Sequence, residues 1–117
     1  MSIHRMGVGP RMSAAVVHGH TLYLAGQVAD KAAGASVAEQ TREILAIIDK
    51  LLEDAGSDKS HLLSTTIYLA DISTFAEMNA VWEAWVVKGH TPARATVEAK
   101  LAAPKYTVEI VCIAAKA

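Results

Sequence analysis

The chain has 117 residues, 52% of them hydrophobic, with a formal net charge of −1. That length makes one domain over residues 1–117, and the composition excludes a disordered tail and a generally basic nucleic-acid binder. No apolar run nears the roughly 20 residues of a membrane span, Met1–Arg5 lacks the core of a signal peptide, and the one cysteine, Cys112, suits a reducing cytoplasm.

Ala14–Val17 and Thr21–Ala25 are apolar or β-branched runs flanking His18-Gly19-His20. This pattern predicts a β-hairpin, with Gly19 supplying the positive φ of its turn. Gly26 ends the second strand. Ser36 then opens a helix as N-cap, with Glu39 three residues later as the second half of a capping box. Val37, Thr41, Ile44, Ile48, Leu51 and Ala55 recur at helical spacing, Ile47 and Leu52 widen the stripe, and Gly56 is the expected C′ residue. Leu62–Ala70 is rich in strand formers. A second helix is predicted from Ser73 or Thr74, with Glu77 capping Thr74, a stripe of Phe75, Met78, Trp82, Trp85 and Val86, and Gly89 as its stop. Ala93–Leu101 and Tyr106–Ala115 are the last two strands.

The order is ββαβαββ, an α+β fold with both helices on one face of a single mixed sheet, since the crossovers are right-handed. Period-two parity assigns Leu22, Leu24, Leu63, Ile67, Leu69, Val97, Ala99, Leu101, Val108, Ile110 and Cys112 to the helix-facing core. The other face would carry Tyr23, Ala25, Thr66, Tyr68, Arg94, Thr96, Glu98, Glu109, Val111 and Ile113. It has no helix to cover it and is too apolar to be simply wet, which predicts a closed symmetric oligomer.

Glu109 stands out because it interrupts the apolar run 108–115. A charge there is costly unless it is paired or hydrogen-bonded, and Arg94 is the nearest partner in a strand. The pair reads either as a structural interface ion pair or as an acid and a base of a site; energetics alone do not separate these. His18 and His20 flank a turn glycine and do not form a metal pair, and no cluster has zinc-like spacing. Cys112 alternates with Val108 and Ile110 and reads as inert core. Gly7-Val8-Gly9-Pro10 lacks the context and the lysine of a phosphate loop.

Thr91-Pro92-Ala93-Arg94-Ala95-Thr96-Val97-Glu98, followed by Tyr106-Thr107-Val108-Glu109-Ile110, resembles the RidA/YjgF family of reactive-intermediate deaminases. Leu22–Gln27 and Phe75–Ala80 support the resemblance, and Ala84–His90 with Pro104-Lys105-Tyr106 is similar to the YoaB-like branch. It implies a chorismate-mutase-like fold, a homotrimer and clefts between subunits. Arg94 would hold the carboxylate of a 2-imino acid, for which a planar guanidinium fork is suited. Glu109 would orient or activate the attacking water, with Gly26, Thr96 and Asn79 helping to place the substrate. No metal or organic cofactor is implied. Two positions depart from the deaminase pattern: Met12 stands where a tyrosine is common, and Ala25 where a serine often precedes the glycine. Both remove hydroxyls from the expected cleft, where Arg11 could add a positive charge.

Three functions follow in order: hydrolytic deamination of small 2-imino acids, a non-catalytic trimer that binds a small carboxylate metabolite, and the ribonuclease or translation-inhibitor role attached to some relatives. The near-neutral charge and sparse aromatics weigh against nucleic acid as a partner.

Overall fold

In the computed structural model, which describes residues 1–117, the chain runs β1 (Ile3–Val8), β2 (Ser13–His18), β3 (Thr21–Leu24), α1 (Val37–Asp54), β4 (Leu62–Leu69), α2 (Phe75–Trp85), β5 (Ala93–Glu98) and β6 (Val108–Ala115). The strands form one sheet in the order β1-β2-β3-β6-β4-β5. Only β4 and β5 pair in parallel; every other neighbour is antiparallel. Ile44, Ile48 and Leu52 of α1 and Met78 and Trp82 of α2 share one core with Leu22, Leu24, Ile67, Leu69, Val108, Ile110 and Cys112. This is the expected α+β sheet with a strand added at its N-terminal edge. The sequence reading missed β1 because Ile3-His4-Arg5-Met6-Gly7-Val8 mixes charge with apolar residues, and the strand stays largely exposed. Its existence rests on pairing with β2. No helix is long and apolar enough to cross a membrane.

The local signals act as their chemistry dictates. Gly19 turns the β2–β3 hairpin at φ 64°. Ser36 Oγ accepts the Glu39 N–H at 3.2 Å, and Gly56, at φ 82°, donates its N–H to the Glu53 carbonyl. The start of α2 differs from expectation. Thr74 caps nothing with its side chain; its hydroxyl donates to the Asp71 carbonyl at 2.6 Å. Glu77 instead accepts the N–H of Ala38 at 2.8 Å, in the first turn of α1. The two helices lie side by side in the same direction, so one acidic side chain can satisfy the orphan donor and the dipole of its neighbour.

Parity holds in β6, where Val108, Ile110, Cys112 and Ala114 are buried and alternate with half-buried residues on the open face. It fails in two places. A register shift between Leu62 and Ser64 turns Leu62 under the helices and leaves Leu63, expected in the core, 49% exposed. The whole of β5 is also inverted. Residues opposite one another in a parallel pair share a face, and Arg94, Thr96 and Glu98 stand opposite Thr65, Ile67 and Leu69. They therefore lie on the helix side, while Val97, expected in the core, is 42% exposed on the open side. Ala99 and Leu101 fall beyond the strand, in the loop before β6. The physical reason is that β5 is an edge strand: its small Ala93 and Ala95 require no burial, while the Arg94 side chain can reach back over α2.

Candidate functional site: two half-sites on opposite faces of the sheet

The first half is built on the open face around Glu109. Tyr68 of β4 stands opposite it. Gln27 and Ile110 exchange backbone hydrogen bonds at 2.9 and 3.1 Å, which pins the segment after β3 alongside β6. Gly26 is thereby held so close that a Cβ added there would lie 2.5 Å from Glu109 Oε2 and 3.2 Å from Val111 Cγ2. Its backbone is not in the left-handed region, so the need for glycine here is close approach. Beside Glu109 lies a groove of about 290 Å³ lined by Tyr68, Lys100, Leu101 and Val111 among others. Ala25 donates its N–H to the Ala14 carbonyl at 3.0 Å, so the β1–β2 turn carrying Arg11 and Met12 sits at the Gly26 end of the sheet. Met12 is exposed there.

The second half is built on the helix side, where β5 meets α2. The Arg94 guanidinium lies 5.7 Å from the Phe75 ring centroid and 5.5 Å from that of Trp82, an arrangement that holds a planar cation without consuming its in-plane donors. Asn79 lies between these two aromatics on the same helix. Its Oδ1 and the Thr96 Oγ1 are buried without a hydrogen-bond partner. Each such orphan costs about 1–3 kcal/mol. Glu98, on the same strand face, accepts the Ile72 N–H at 3.0 Å and ties the turn before α2 to β5. Glu98 therefore braces the strand that carries Arg94, where the sequence reading placed it on the uncovered face.

The structure brings Arg94, Thr96 and Asn79 together and sets Glu109 with Gly26, but it does not bring the two groups to each other. Arg94 is level with Thr65 on β4 and Glu109 with Tyr68, roughly 10 Å apart along the strand and two strand spacings, roughly 10 Å, across it. They also project from opposite faces. The expected shared face of Arg94 and Glu109 is thus corrected by the inverted β5, and no ion pair joins them within one chain; the two ion pairs are Lys50–Asp54 and His61–Asp58.

Two further residues bear on the site. Gln40 is fully buried; its Nε2 donates to the Ala35 and Lys105 carbonyls and its Oε1 accepts the Thr107 N–H, at 2.9–3.1 Å. It fastens α1 to the chain just before Glu109. The sequence reading passed over it, although a glutamine between Val37 and Ile44 in an apolar stripe was the signal. Cys112 is buried beside Thr65 at 3.3 Å, and burial pushes its thiol up to about 11, so it stands apart from the chemistry. No group of three His, Cys, Asp or Glu side chains converges as metal ligands would.

A mixed sheet with two co-directional helices over one face defines the chorismate-mutase-like α+β class, and here an arginine and a glutamate stand on its two sides. The family model described as Endoribonuclease L-PSP matches residues 3–116. The RutC family protein YoaB of Escherichia coli K12 is 50% identical over 115 residues, covering 98% of this chain and 99% of that protein. A crystal structure of a YjgF-family member from Neisseria meningitidis superposes with a TM-score of 0.96 at 48% identity, covering 100% of this chain and 97% of that one. The 2-iminobutanoate/2-iminopropanoate deaminase of Rattus norvegicus is 32% identical over 107 residues, covering 87% of this chain and 77% of that protein. The chain belongs to the RidA/YjgF family, in its YoaB-like branch.

Proposed function

We propose that the protein hydrolyses small 2-imino acids to 2-oxo acids and ammonia at clefts formed between copies of the chain. The observation that carries this is the separation of Arg94 and Glu109 onto opposite faces of one sheet. A second copy offers its Glu109 face to the Arg94 half of the first, and the half-buried, uncovered face carrying Tyr68, Glu109, Val111 and Ile113 favours such an assembly, a homotrimer in the resemblance. The rat relative's name supports the choice of reaction.

In this reading the guanidinium of Arg94, held flat by two rings, binds the substrate carboxylate through its fork. The orphaned oxygens of Asn79 and Thr96 accept or donate to the imine end, which accounts for buried polar atoms left unpaired in a single chain. Glu109 orients a water at the imine carbon. Water adds across the C=N bond, its first proton passing by way of the carboxylate to the nitrogen to give a carbinolamine. The hydroxyl proton then follows the same route as the C–N bond breaks, so that ammonia leaves and the carbonyl forms. Orientation and acid–base assistance of this kind contribute about 10²–10⁴-fold from the proton transfer alone.

The test is to generate 2-iminobutanoate with an amino-acid oxidase or dehydratase in the presence of semicarbazide. The expected result is less semicarbazone when the protein is added; an unchanged yield at stoichiometric protein rejects the proposal for that substrate. The Met12 and Ala25 positions favour one second reading, a cleft that binds a small carboxylate without turning it over. Binding of 2-oxobutanoate without imine hydrolysis selects it. The ribonuclease reading has only the family's description in its favour.

A further inference from the structure

A second concave surface lies between α1 and α2 and shares no residue with either half-site. It is a furrow of about 430 Å³ lined by Arg42, Leu45, Asp49, Lys59, Val81 and Trp85, with Ala46, Ala80 and Ala84 along its walls. The helices run in the same direction, because Ala38 meets Glu77 near their first turns and Asp49 meets Trp85 near the end of α2. Arg42 therefore marks one end of the furrow and the Trp85 cluster the other. Seven residues of helix separate Arg42 from Asp49, about 10 Å along the axis. Leu45 is buried and forms the floor.

The charges of this furrow are unbalanced. Its single carboxylate, Asp49, accepts the Trp85 Nε1–H at 2.9 Å. The Lys59 ammonium sits 5.2 Å from the Trp85 ring centroid. Neither Lys59 nor Arg42 takes part in an ion pair, since those of the chain are Lys50–Asp54 and His61–Asp58. Two cations without acidic partners flank an apolar floor of a size typical for small-molecule sites. A wholly polar anion would waste the floor, and a cation would meet Arg42 and Lys59.

We propose that the furrow binds an amphiphilic aromatic acid, a flat apolar body of up to about 10 Å with one anionic group. The body lies over Leu45 and Val81 and abuts Trp85. The anion pairs with Arg42, whose fork suits a carboxylate or sulfonate. This site is independent of the proposed imine chemistry.

The test uses 8-anilinonaphthalene-1-sulfonate as the probe, followed by its own emission and by quenching of tryptophan emission. The expected result is saturable binding of one probe per chain, weakened about tenfold or more by Arg42→Glu, equivalent to about 1.4 kcal/mol. Arg42→Lys should retain part of the affinity, and Ala84→Leu, which fills an exposed part of the furrow, should block binding while the circular dichroism stays unchanged. Binding that neither Arg42→Glu nor Ala84→Leu alters overturns the proposal. So does a lower mass of Ala84→Leu in sedimentation, which would mean that a second copy occupies the furrow.

Discussion

The strands β5 and β6 flank the same neighbour, β4, yet they hold their candidate site side chains in different ways. β6 is central, and its alternation is enforced on both sides: Ile110 goes under the helices because it is fully buried there, which turns Glu109 to the open face. β5 is an edge, paired only with β4, and no side chain of it is fully buried. Arg94 is fixed instead by two aromatic rings of α2 and by the Glu98 tie to Ile72. A central strand orients a catalytic candidate through its buried neighbours. An edge strand needs partners outside the sheet, and it can present its residue to another copy of the chain.

The largest effect tests that comparison directly. Arg94→Ala and Glu109→Ala should each lower imine hydrolysis by about 10²–10⁴-fold. Co-refolding the two variants in equal amounts should restore about a quarter of the wild-type sites if each site takes one residue from each of two copies. No recovery on mixing would mean that both residues serve one chain's site, against the separation seen here.

Next in size is the contrast in packing. Ile110→Ala should lose about 2–5 kcal/mol in denaturant unfolding, as large-to-small changes in cores do. Val97→Ala, on the exposed side of the edge strand, should stay within about 0.5 kcal/mol. An equal loss from both would put Val97 back in the core and undo the inversion of β5.

Gly26→Ala should act on Glu109 more than on the fold. The added methyl would meet the mobile end of the carboxylate, which can swing aside, so the melting temperature should move by no more than about 2–4 °C. Imine hydrolysis should fall about tenfold in kcat, a fraction of the roughly 10²–10⁴-fold that acid–base assistance supplies. A large loss of stability with normal kcat would make Gly26 a purely structural residue.

The smallest expected effect lies away from both half-sites, at the turn before β4 beside the C-terminal end of β6. Asp58 accepts hydrogen bonds from the Ser60 hydroxyl, His61 Nδ1 and the Ser60 N–H, which hold its carboxyl at about 2, below its ordinary 3.8. A lowered carboxyl pKa stabilises the fold above the ordinary value, and that contribution is lost as the pH falls from about 4 through about 2. Because Asp58 is exposed, Asp58→Asn should flatten the acid limb of the unfolding curve only slightly. The loss belongs to the neutral end of the curve, and an acid limb as steep as that of the wild type would contradict this.

Much of the fold was legible from local chemistry. Ser36 with Glu39, Gly56, and His18-Gly19-His20 marked a helix start, a helix end and a turn because each satisfies backbone groups within a few residues. The run 108–115 disclosed both its strand and the oddity of Glu109, since alternation in a two-sided central strand leaves little choice. The family resemblance rested on residues such as Thr91–Glu98, read without regard to which way they point. Glu77 was misread because its partner, Ala38, is thirty-nine positions away and only helix packing brings the two together.

The sequence by itself determined the elements from β2 onward, the polar residue in each late strand and the family to which they belong, because these depend on residue identity and short spacing. Tertiary structure alone decided which face Arg94 takes. Alternation offers a strand two equivalent orientations, and at an edge no burial chooses between them. Register against β4 and the rings of Phe75 and Trp82 made that choice, so one chain presents its two candidate half-sites pointing away from each other.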